Sequence, residues 1–418
     1  MSQDIIYSAS WLLNPDASPL AGGALLVRNG VIAETGTLKT LRSRHSAAVI
    51  DYPGAAIIPG FINSHTHLEL THFPSWKNKY SAGYVPRRFT DWIMQLIKIS
   101  RNLKADDYHP SIEEGIRMCL ESGTTAIGEI ATNPPNADIY YKSSLNGRLY
   151  FELIGRDTGL FQQKLAIATN AAVKDGATLP SGFSPHSTYT VSEDNFKLIK
   201  SVSNQYSLPL SIHLSESASE SELMFDGSGD LASEFYPFVG WNQFLARPAR
   251  CSSTELLNRN GILTPATLVV HCVHTSLADA RILKETGAHI ALCPRSNHIL
   301  DVGSPPVRLF KKLGIPLSLG TDSLASNNSL SLWDEIRFTL NAFPDDLTEP
   351  DLFNMVTIRG AEALGITATS GSLDVGRRAD FQVIGNCDST QENVLKRVIR
   401  DGSVREVFTR GERYCGTD

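Results

Sequence analysis

The chain has 418 residues, with 38 Lys and Arg residues against 44 Asp and Glu residues, so its formal net charge is −6 at pH 7. This mild acidity provides no broad basic surface for a phosphate backbone, and we expect no nucleic-acid partner. Apolar residues make up 42% and charged residues 20% of the chain. This composition excludes a disordered or fibrous protein and is typical of a globular protein with a large core.

The six cysteines are scattered and form no C-x-x-C pair, so neither a disulfide framework nor a thiolate zinc site is expected. No stretch reaches the roughly 18 consecutive apolar residues of a membrane helix, and the first residues have neither a basic head nor a long apolar run. We therefore expect a cytoplasmic protein without a membrane segment. A metal ion, if present, would be bound by His and Asp side chains.

Three sections follow one another along the chain. Residues 1–58 are expected to form short strands between turns, with Asn29-Gly30 as a hairpin signal. From Pro59 to about residue 365, short apolar runs alternate with segments of helical spacing, which is the pattern of repeated βα units on a parallel sheet. After that, strand and turn patterns return. The sequence therefore predicts an α/β middle section between two β-rich ends.

Two segments of the middle section carry clear helical signals. Both show helical apolar spacing and stop at a glycine, Gly123 in SIEEGIRMCLESG and Gly287 in LADARILKETG. The apolar stripe of the first segment consists of Ile112, Ile116, Cys119 and Leu120. We predict a helix at each segment.

Six apolar strand candidates of the middle section end in reactive residues. They are IIPGFINSHTH, SGFSPHS, LPLSIHLSE, LVVHCVH, HIALCPRSN and IPLSLGTD. In a (β/α)₈ barrel the active site is built at the carboxyl ends of the strands. Since all six runs end in this way and are separated by helix-like spacers, the pattern favours such a barrel with its site at that face.

The first of these strands carries a candidate metal site. Residues i and i+2 of a strand point to the same side, so His65 and His67 are spaced to hold one ion. His213 and Asp322 each end an apolar run of their own and complete a set of three nitrogens and one carboxylate. Such a set suits Zn²⁺ or Fe²⁺ better than Mg²⁺ or Ca²⁺. We predict one divalent ion, zinc in the first place and iron as the alternative.

Further polar residues near these strand ends are candidates for catalysis. Glu216 follows His213 by three residues and can carry a proton between water and a leaving group. In HCVH, His271 is preferred over His274 as the group that hydrogen-bonds the reacting oxygen, because it lies nearer the strand end. A solvated acid and structural histidines are the alternative interpretations.

Substrate contacts are predicted at the same rim. His186, Arg295 and Ser326 lie after three of the strands, and the neighbouring Asn327 and Asn328 fit helix capping equally well. No G-x-S-x-G, P-loop or G-x-G-x-x-G motif is present in the sequence, so serine hydrolase and nucleotide-cradle chemistry are not indicated.

Taken together, these motifs resemble the amidohydrolase superfamily, specifically its cytosine-deaminase-like and chlorohydrolase-like branch. The resemblance runs from PGFINSHTH through SIHLSE, VVHCVH, CPRSN and GTDSLASNNSL to GSLDVGRRADFQVIG. It implies a (β/α)₈ barrel over residues 59–365 and a small β-sandwich built from residues 1–58 and 366–418. Because SGFSPHSTY after the fourth strand has no Lys, a single metal ion is favoured over a lysine-bridged pair.

The resemblance also implies roles for individual residues. His65, His67, His213 and Asp322 would bind the metal, and three residues would be catalytic: Glu216 as proton shuttle, His271 as the group that orients the attacking water, and Asp322 as the first acceptor of its proton. The implied reaction replaces a ring amino group with oxygen and releases ammonia.

The subfamily is less sharply indicated. SPHSTYT, which contains His186, and GTDSLASNNSL look like deaminases of S-adenosylhomocysteine or methylthioadenosine, whereas Glu69 and Arg295 look like aminodeoxyfutalosine deaminases, whose benzoate Arg295 would pair with. Arg156 is a further candidate substrate contact. We therefore expect a 6-aminopurine nucleoside as the small-molecule substrate, adenosine included. The alternatives are an enzyme of the same fold acting on guanine, cytosine, a triazine halide or an imidazolone, or a non-catalytic binding protein; a homodimer is left open.

Overall fold

The computed structural model describes residues 4–245 and 248–414, and Cys415 lies outside this part. The described residues form sixteen strands. In chain order they are β1 Ile5–Leu12, β2 Leu20–Ala21, β3 Gly23–Arg28, β4 Val31–Thr37, β5 Ala48–Pro59, β6 Phe61–Thr66, β7 Thr124–Ala131, β8 Asn146–Leu153, β9 Ser181–Pro185, β10 Leu210–Leu214, β11 Thr267–His271, β12 His289–Leu292, β13 Leu317–Leu319, β14 Phe381–Gly385, β15 Ser403–Thr409 and β16 Glu412–Arg413.

Seventeen α-helices lie in the same described part, together with short 3₁₀ turns and a π-helical turn at Leu231–Phe235. They are α1 Leu38–Arg44, α2 Phe73–Tyr80, α3 Phe89–Ser100, α4 Ala105–Glu121, α5 Ala137–Lys142, α6 Thr158–Ala172, α7 Glu193–Tyr206, α8 Ala218–Asp226, α9 Tyr236–Phe238, α10 Ser253–Arg259, α11 Leu277–Thr286, α12 Pro294–Ile299, α13 Val307–Leu313, α14 Leu332–Ala342, α15 Glu349–Met355, α16 Ile358–Leu364 and α17 Val394–Asp401. Both predicted helices are confirmed: α4 buries its apolar stripe, and α11 ends at Gly287 in the left-handed conformation. Within the described ranges, no helix combines the length and apolar character needed to cross a bilayer.

Strands β6 to β13 form one parallel sheet in chain order. The sheet closes on itself where Thr66 and Asp322 form a parallel bridge, and the Asp322 amide donates to the His65 carbonyl at 3.1 Å. Gly320 makes this approach possible, because a Cβ there would lie 2.8 Å from the carbonyl oxygen of His65. All six predicted strands are among these eight, so the (β/α)₈ barrel is confirmed.

Apolar side chains fill the barrel below the polar strand ends. Fully or almost fully buried residues from most of the strands meet there with side chains of α16: Ile62, Ala126, Ile130, Tyr150, Leu268, Val270, Ala291, Ala361 and Leu364. A larger apolar cluster lies between the outer strand faces and the surrounding helices. The barrel is therefore a packed core, and a cavity can form only at its mouth.

The two chain ends form a separate sheet. Its strands are hydrogen-bonded in the order β16-β15-β14-β5-β1-β3-β4, and β2 pairs with β1. The β3–β4 hairpin turns at Asn29 and Gly30, both with positive φ, as the sequence predicts. One face buries the rings of Tyr7, Phe381 and Phe408, whose centroids lie 4.4–5.0 Å apart. The predicted barrel with a separate β-structure from both chain ends is confirmed; where a β-sandwich was predicted, the described residues form one eight-stranded sheet.

Candidate active site

Three histidines and one aspartate meet at the centre of the barrel mouth. The Nε2 atoms of His65 and His67 lie 3.2 Å apart, and Asp322 Oδ1 lies 3.8 and 3.6 Å from them. The ligand atoms of His65, His67 and His213 all lie within 4.8 Å of one another. The His213 Nδ1–H donates to the carbonyl of His186 at 3.0 Å, which leaves its Nε2 for a ligand.

The charge state of this cluster fits a divalent cation. Burial lowers the pKa of His67 to about 3 and holds the pKa of His65 well below its usual value, so both rings are neutral. Burial raises the pKa of Asp322, but the polar imidazoles around it and the Ser296 hydroxyl, which donates to it, favour the ionised form, so the pKa lies below its usual value. Facing lone pairs of neutral rings beside a carboxylate match a metal site. An ion bound here would supply Lewis-acid polarisation and lower the pKa of a water molecule.

Hydroxyl groups hold the Asp322 carboxylate from behind. The hydroxyls of Ser296 and Ser326 each donate to Oδ2 at 2.7 Å, and the Ser323 amide donates to Oδ1 at 2.8 Å. Ser326, predicted from the sequence to contact substrate, donates to a predicted metal ligand in this structure. Ser296 was not singled out by sequence reasoning, although it directly follows Arg295 in CPRSN.

Glu216 and His271 form a second pair beside this cluster. Both side chains are buried, and Glu216 Oε1 lies 3.6 Å from His271 Nε2. Burial raises the pKa of Glu216 to about 8, so the free carboxyl retains its proton at neutral pH. The Glu220 carboxylate fixes the backbone here, since it accepts the amides of Ser215 at 3.0 Å and Glu216 at 3.1 Å.

The His271 ring is oriented by an asparagine that sequence reasoning missed. The His271 Nδ1–H donates to Asn297 Oδ1 at 2.9 Å, which leaves Nε2 with its lone pair. This buried Nε2 has no hydrogen-bond partner among the described residues. Within the described part of the chain, the pair therefore presents one protonated acid and one unpartnered acceptor.

Unusual backbone angles direct two of these side chains. Along β11, Leu268 and Val270 lie in the barrel core and Val269 lies on the outer side, so alternation alone would turn His271 outward. His271 instead has φ +70°, and its ring lies in the site. Asp322 has φ +59°. Such left-handed angles in non-glycine residues are costly and concentrate at functional sites.

These groups lie at the floor of a cavity of about 460 Å³. His186 lines it, with Nδ1 within 3.0 Å of the hydroxyls of Ser187 and Thr190. A large part of the wall is apolar and comes from α3, the segment 235–241 and isolated residues: Leu70, Phe89, Trp92, Ile93, Leu96, Ile97, Tyr108, Ile154, Tyr189, Phe235, Val239 and Trp241. The cavity therefore combines a polar floor with a long apolar side.

The other predicted substrate contacts are Glu69, Arg295 and Arg156, and each of them lies in a different environment. Glu69 lines the cavity, but its carboxylate accepts four hydrogen bonds from Thr132, Asn133 and Asn136. Arg295 does not line the cavity; its guanidinium contacts the Asn328 amide oxygen and lies 3.6 Å from Asp334.

Arg156 lies over the Tyr236 ring at 5.5 Å and lines a neighbouring cavity. The structure thus gives Arg295 and Arg156 protein partners outside the central cavity.

Two strand acids on the opposite side of the mouth were missed by sequence reasoning. Glu129 on β7 accepts from Tyr140 at 2.5 Å and from the Leu68 amide at 2.9 Å. Glu152 on β8 lines the cavity beside Glu69. A signal was available, because each is a single acid near the end of an apolar strand, in TTAIGEIA and NGRLYFEL.

Comparison with known proteins finds relatives over most of the chain. A 5′-deoxyadenosine deaminase of Methanobrevibacter smithii is 28% identical over 406 residues, which cover 94% of this chain and 85% of the relative. An aminodeoxyfutalosine deaminase of Deinococcus radiodurans is 26% identical over 350 residues, with 81% and 80% covered.

Solved structures share the fold. Helicobacter pylori aminofutalosine deaminase in complex with methylthio-coformycin superposes with a TM-score of 0.84 at 23% identity, over 98% of this chain and 100% of that chain. An adenosine deaminase from Xanthomonas campestris with bound zinc gives a TM-score of 0.81 at 21% identity, over 98% and 92%. The model of the amidohydrolase family matches residues 56–413, and the chain therefore belongs to the amidohydrolase family.

Proposed function

We propose that this protein is a metal-dependent deaminase that replaces the amino group of an adenosine-like nucleoside with oxygen and releases ammonia. The observation that carries the proposal is the position of Glu216 and His271, 3.6 Å apart, beside the cluster of His65, His67, His213 and Asp322. The names of the relatives, which are deaminases of adenosine-type nucleosides, support it.

Each residue has a defined task in this reaction. The Asp322 carboxylate accepts a proton from the attacking water, and the unprotonated His271 Nε2 accepts a hydrogen bond that orients this water toward the ring carbon. Glu216 is protonated at neutral pH because its pKa is about 8, and it donates this proton to the ring nitrogen next to that carbon. Water adds at the carbon that bears the amino group. Glu216, now ionised, takes the proton of the added hydroxyl, while the proton held by Asp322 passes to the amino group. The C–N bond then breaks, ammonia leaves, and both carboxyl groups return to their starting states.

Zinc is the ion we propose for the site. Three imidazoles and one carboxylate suit Zn²⁺, and Fe²⁺ is the alternative with similar ligand preferences. The zinc bound to the adenosine deaminase from Xanthomonas campestris, which shares the fold, supports this choice.

The experiment is an ammonia-release assay on zinc-loaded protein. The panel contains adenosine, 5′-deoxyadenosine, methylthioadenosine, S-adenosylhomocysteine and aminodeoxyfutalosine, with guanine and cytosine as ring controls. We expect ammonia from at least one of the nucleosides, and sharply reduced metal content in His67→Ala. Zinc-loaded protein that releases no ammonia from any of the nucleosides would overturn the proposal. Ring opening or ammonia from guanine or cytosine alone would point to another ring substrate.

A further inference from the structure

Beside Glu69, the cavity contains a carboxylate that the reaction above does not use. Glu152 is the penultimate residue of β8, where Leu149, Phe151 and Leu153 pack on the outer side of the barrel and Tyr150 points into its core. Strand alternation therefore turns Glu152 inward. Because it comes near the carboxyl end of the strand, it reaches the mouth and lines the cavity with His186 and Glu216.

The hydrogen bonds of Glu152 leave capacity for a ligand. Its one hydrogen bond within the described structure comes from the Thr132 hydroxyl to Oε2 at 3.0 Å. Oε1 accepts nothing from the described residues, and no Lys or Arg of these residues forms an ion pair with Glu152. Lys164 lowers the pKa of Glu152 electrostatically, but the Lys164 amine donates to the Ile154 carbonyl at 2.9 Å.

The hydrogen bonds of Glu69 can be compared with those of Glu152. It lies at the same corner, but both of its oxygens are used: Thr132, Asn133 and Asn136 supply four donors, each at 3.2 Å. The Glu69 carboxylate thus fixes the loop after β7, whereas Glu152 makes a single hydrogen bond within the described structure. A half-buried carboxylate with an open acceptor, placed in a ligand cavity, is suited to take hydrogen bonds from the ligand.

We propose that Glu152 determines substrate specificity by accepting hydrogen bonds from the vicinal hydroxyls of the sugar. This inference rests on the proposed function, because it takes the substrate to be a nucleoside with its ring at the floor. The sugar then lies one ring further out, between the polar floor and the apolar wall. The two oxygens of a carboxylate match the two donors of a vicinal diol. Burial raises the pKa of Glu152 to about 7, and donors from a diol would stabilise its ionised form.

The test combines changes in the enzyme with changes in the substrate. Adenosine, 2′-deoxyadenosine and 3′-deoxyadenosine are compared by kcat/KM with the zinc-loaded wild type, Glu152→Gln and Glu152→Ala. In the wild type, loss of one hydroxyl is expected to lower kcat/KM roughly 10- to 100-fold, since a hydrogen bond to a charged acceptor is lost. In Glu152→Ala, the three nucleosides are expected to differ less than about 3-fold. Glu152→Gln, which keeps one acceptor oxygen and the side-chain volume, is expected to lie between them.

Controls separate specificity from folding. Glu113→Gln changes an exposed glutamate on α4 in the same manner and is expected to behave as the wild type. Metal content and thermal midpoint are measured for every variant. If both Glu152 variants lose the same factor with all three nucleosides, the assignment of Glu152 is overturned while the deaminase proposal stands. If adenosine is not a substrate, the same comparison uses the deoxy forms of the nucleoside that the panel above identifies. If no nucleoside of that panel releases ammonia with the wild type, the proposed function fails, and this inference fails with it.

Discussion

Buried carboxylates lie on two sides of the barrel mouth, and the two sides use them differently. On the side of β10 to β13, Asp322 and Glu216 turn an oxygen toward the cavity while neighbouring groups fix them from behind. On the side of β7 and β8, Glu69 and Glu129 accept hydrogen bonds from loops and from Tyr140. Burial raises the pKa on both sides, of Glu216 as of Glu69 and Glu129. A raised pKa alone therefore does not identify a catalytic acid. Among these glutamates, the carboxyl of Glu216 accepts no hydrogen bond from the described residues, whereas Glu129 accepts two and Glu69 accepts four.

The largest expected effect concerns Glu216, on the side of β10 to β13. Glu216→Gln keeps the size of the side chain but removes the proton donor, so kcat for ammonia release should fall by about 10²–10⁴-fold. The thermal midpoint and metal content should stay close to those of the wild type, because the hydrogen bonds that fix this segment are made by Glu220. Activity retained within about 3-fold would remove Glu216 from the role of proton shuttle.

In the metal-free protein, the pH dependence of the free energy of unfolding tests whether Glu216 has a raised pKa. The folded pKa of Glu216 is about 8, above its unfolded value of 4.5. Between these values the folded state holds a proton that the unfolded state has released, so stability falls as the pH rises from about 4.5 to 8. For Glu216 this amounts to at most about 5 kcal/mol. Denaturant unfolding of chelator-treated protein at pH 5 and pH 8 should show a smaller loss in Glu216→Gln than in the wild type, whereas Glu113→Gln should match the wild type.

On the side of β7 and β8, substitution of Glu69 or Glu152 is expected to lower the free energy of unfolding by different amounts. Glu69→Ala leaves the four donors from Thr132, Asn133 and Asn136 without their acceptor, which should lower the free energy of unfolding by roughly 2–3 kcal/mol. Glu152→Ala removes one hydrogen bond and should cost less than about 1 kcal/mol. Denaturant titration of both variants measures the difference. Equal losses would mean that donor number does not separate structural from ligand-binding acids here.

The sequence predicts the parts of this site that depend on local pattern. The meeting of His65, His67, His213 and Asp322 could be predicted because each ends an apolar run, and a closed parallel barrel brings all strand ends to one face. The contacts of Arg295 and Glu69 depend on residues 33 and 64 positions away, Asn328 and Asn133. No periodicity in the sequence reports such pairings, which arise from the packing of loops.

The orientation of His271 shows a further limit. Its ring enters the site because the backbone takes a positive φ, which strand alternation does not predict. Glu152 shows the opposite case. Alternation does place it inward. No neighbouring residue in the sequence indicates a partner for this single acid in an apolar strand, so it was not recognised as part of a site.

The smallest expected effect concerns the group that orients His271. Asn297→Ala removes the acceptor of the Nδ1–H, so the ring loses the contact that fixes both its tautomer and its angle. We expect kcat to fall about 10-fold, with KM nearly unchanged because Asn297 does not line the cavity. Asn297→Asp keeps an acceptor at this position and should recover most of the rate. If Ala and Asp variants lose the same activity, or if the loss appears in KM, the His271 ring is held by its packing against His65 and His213 rather than by this hydrogen bond.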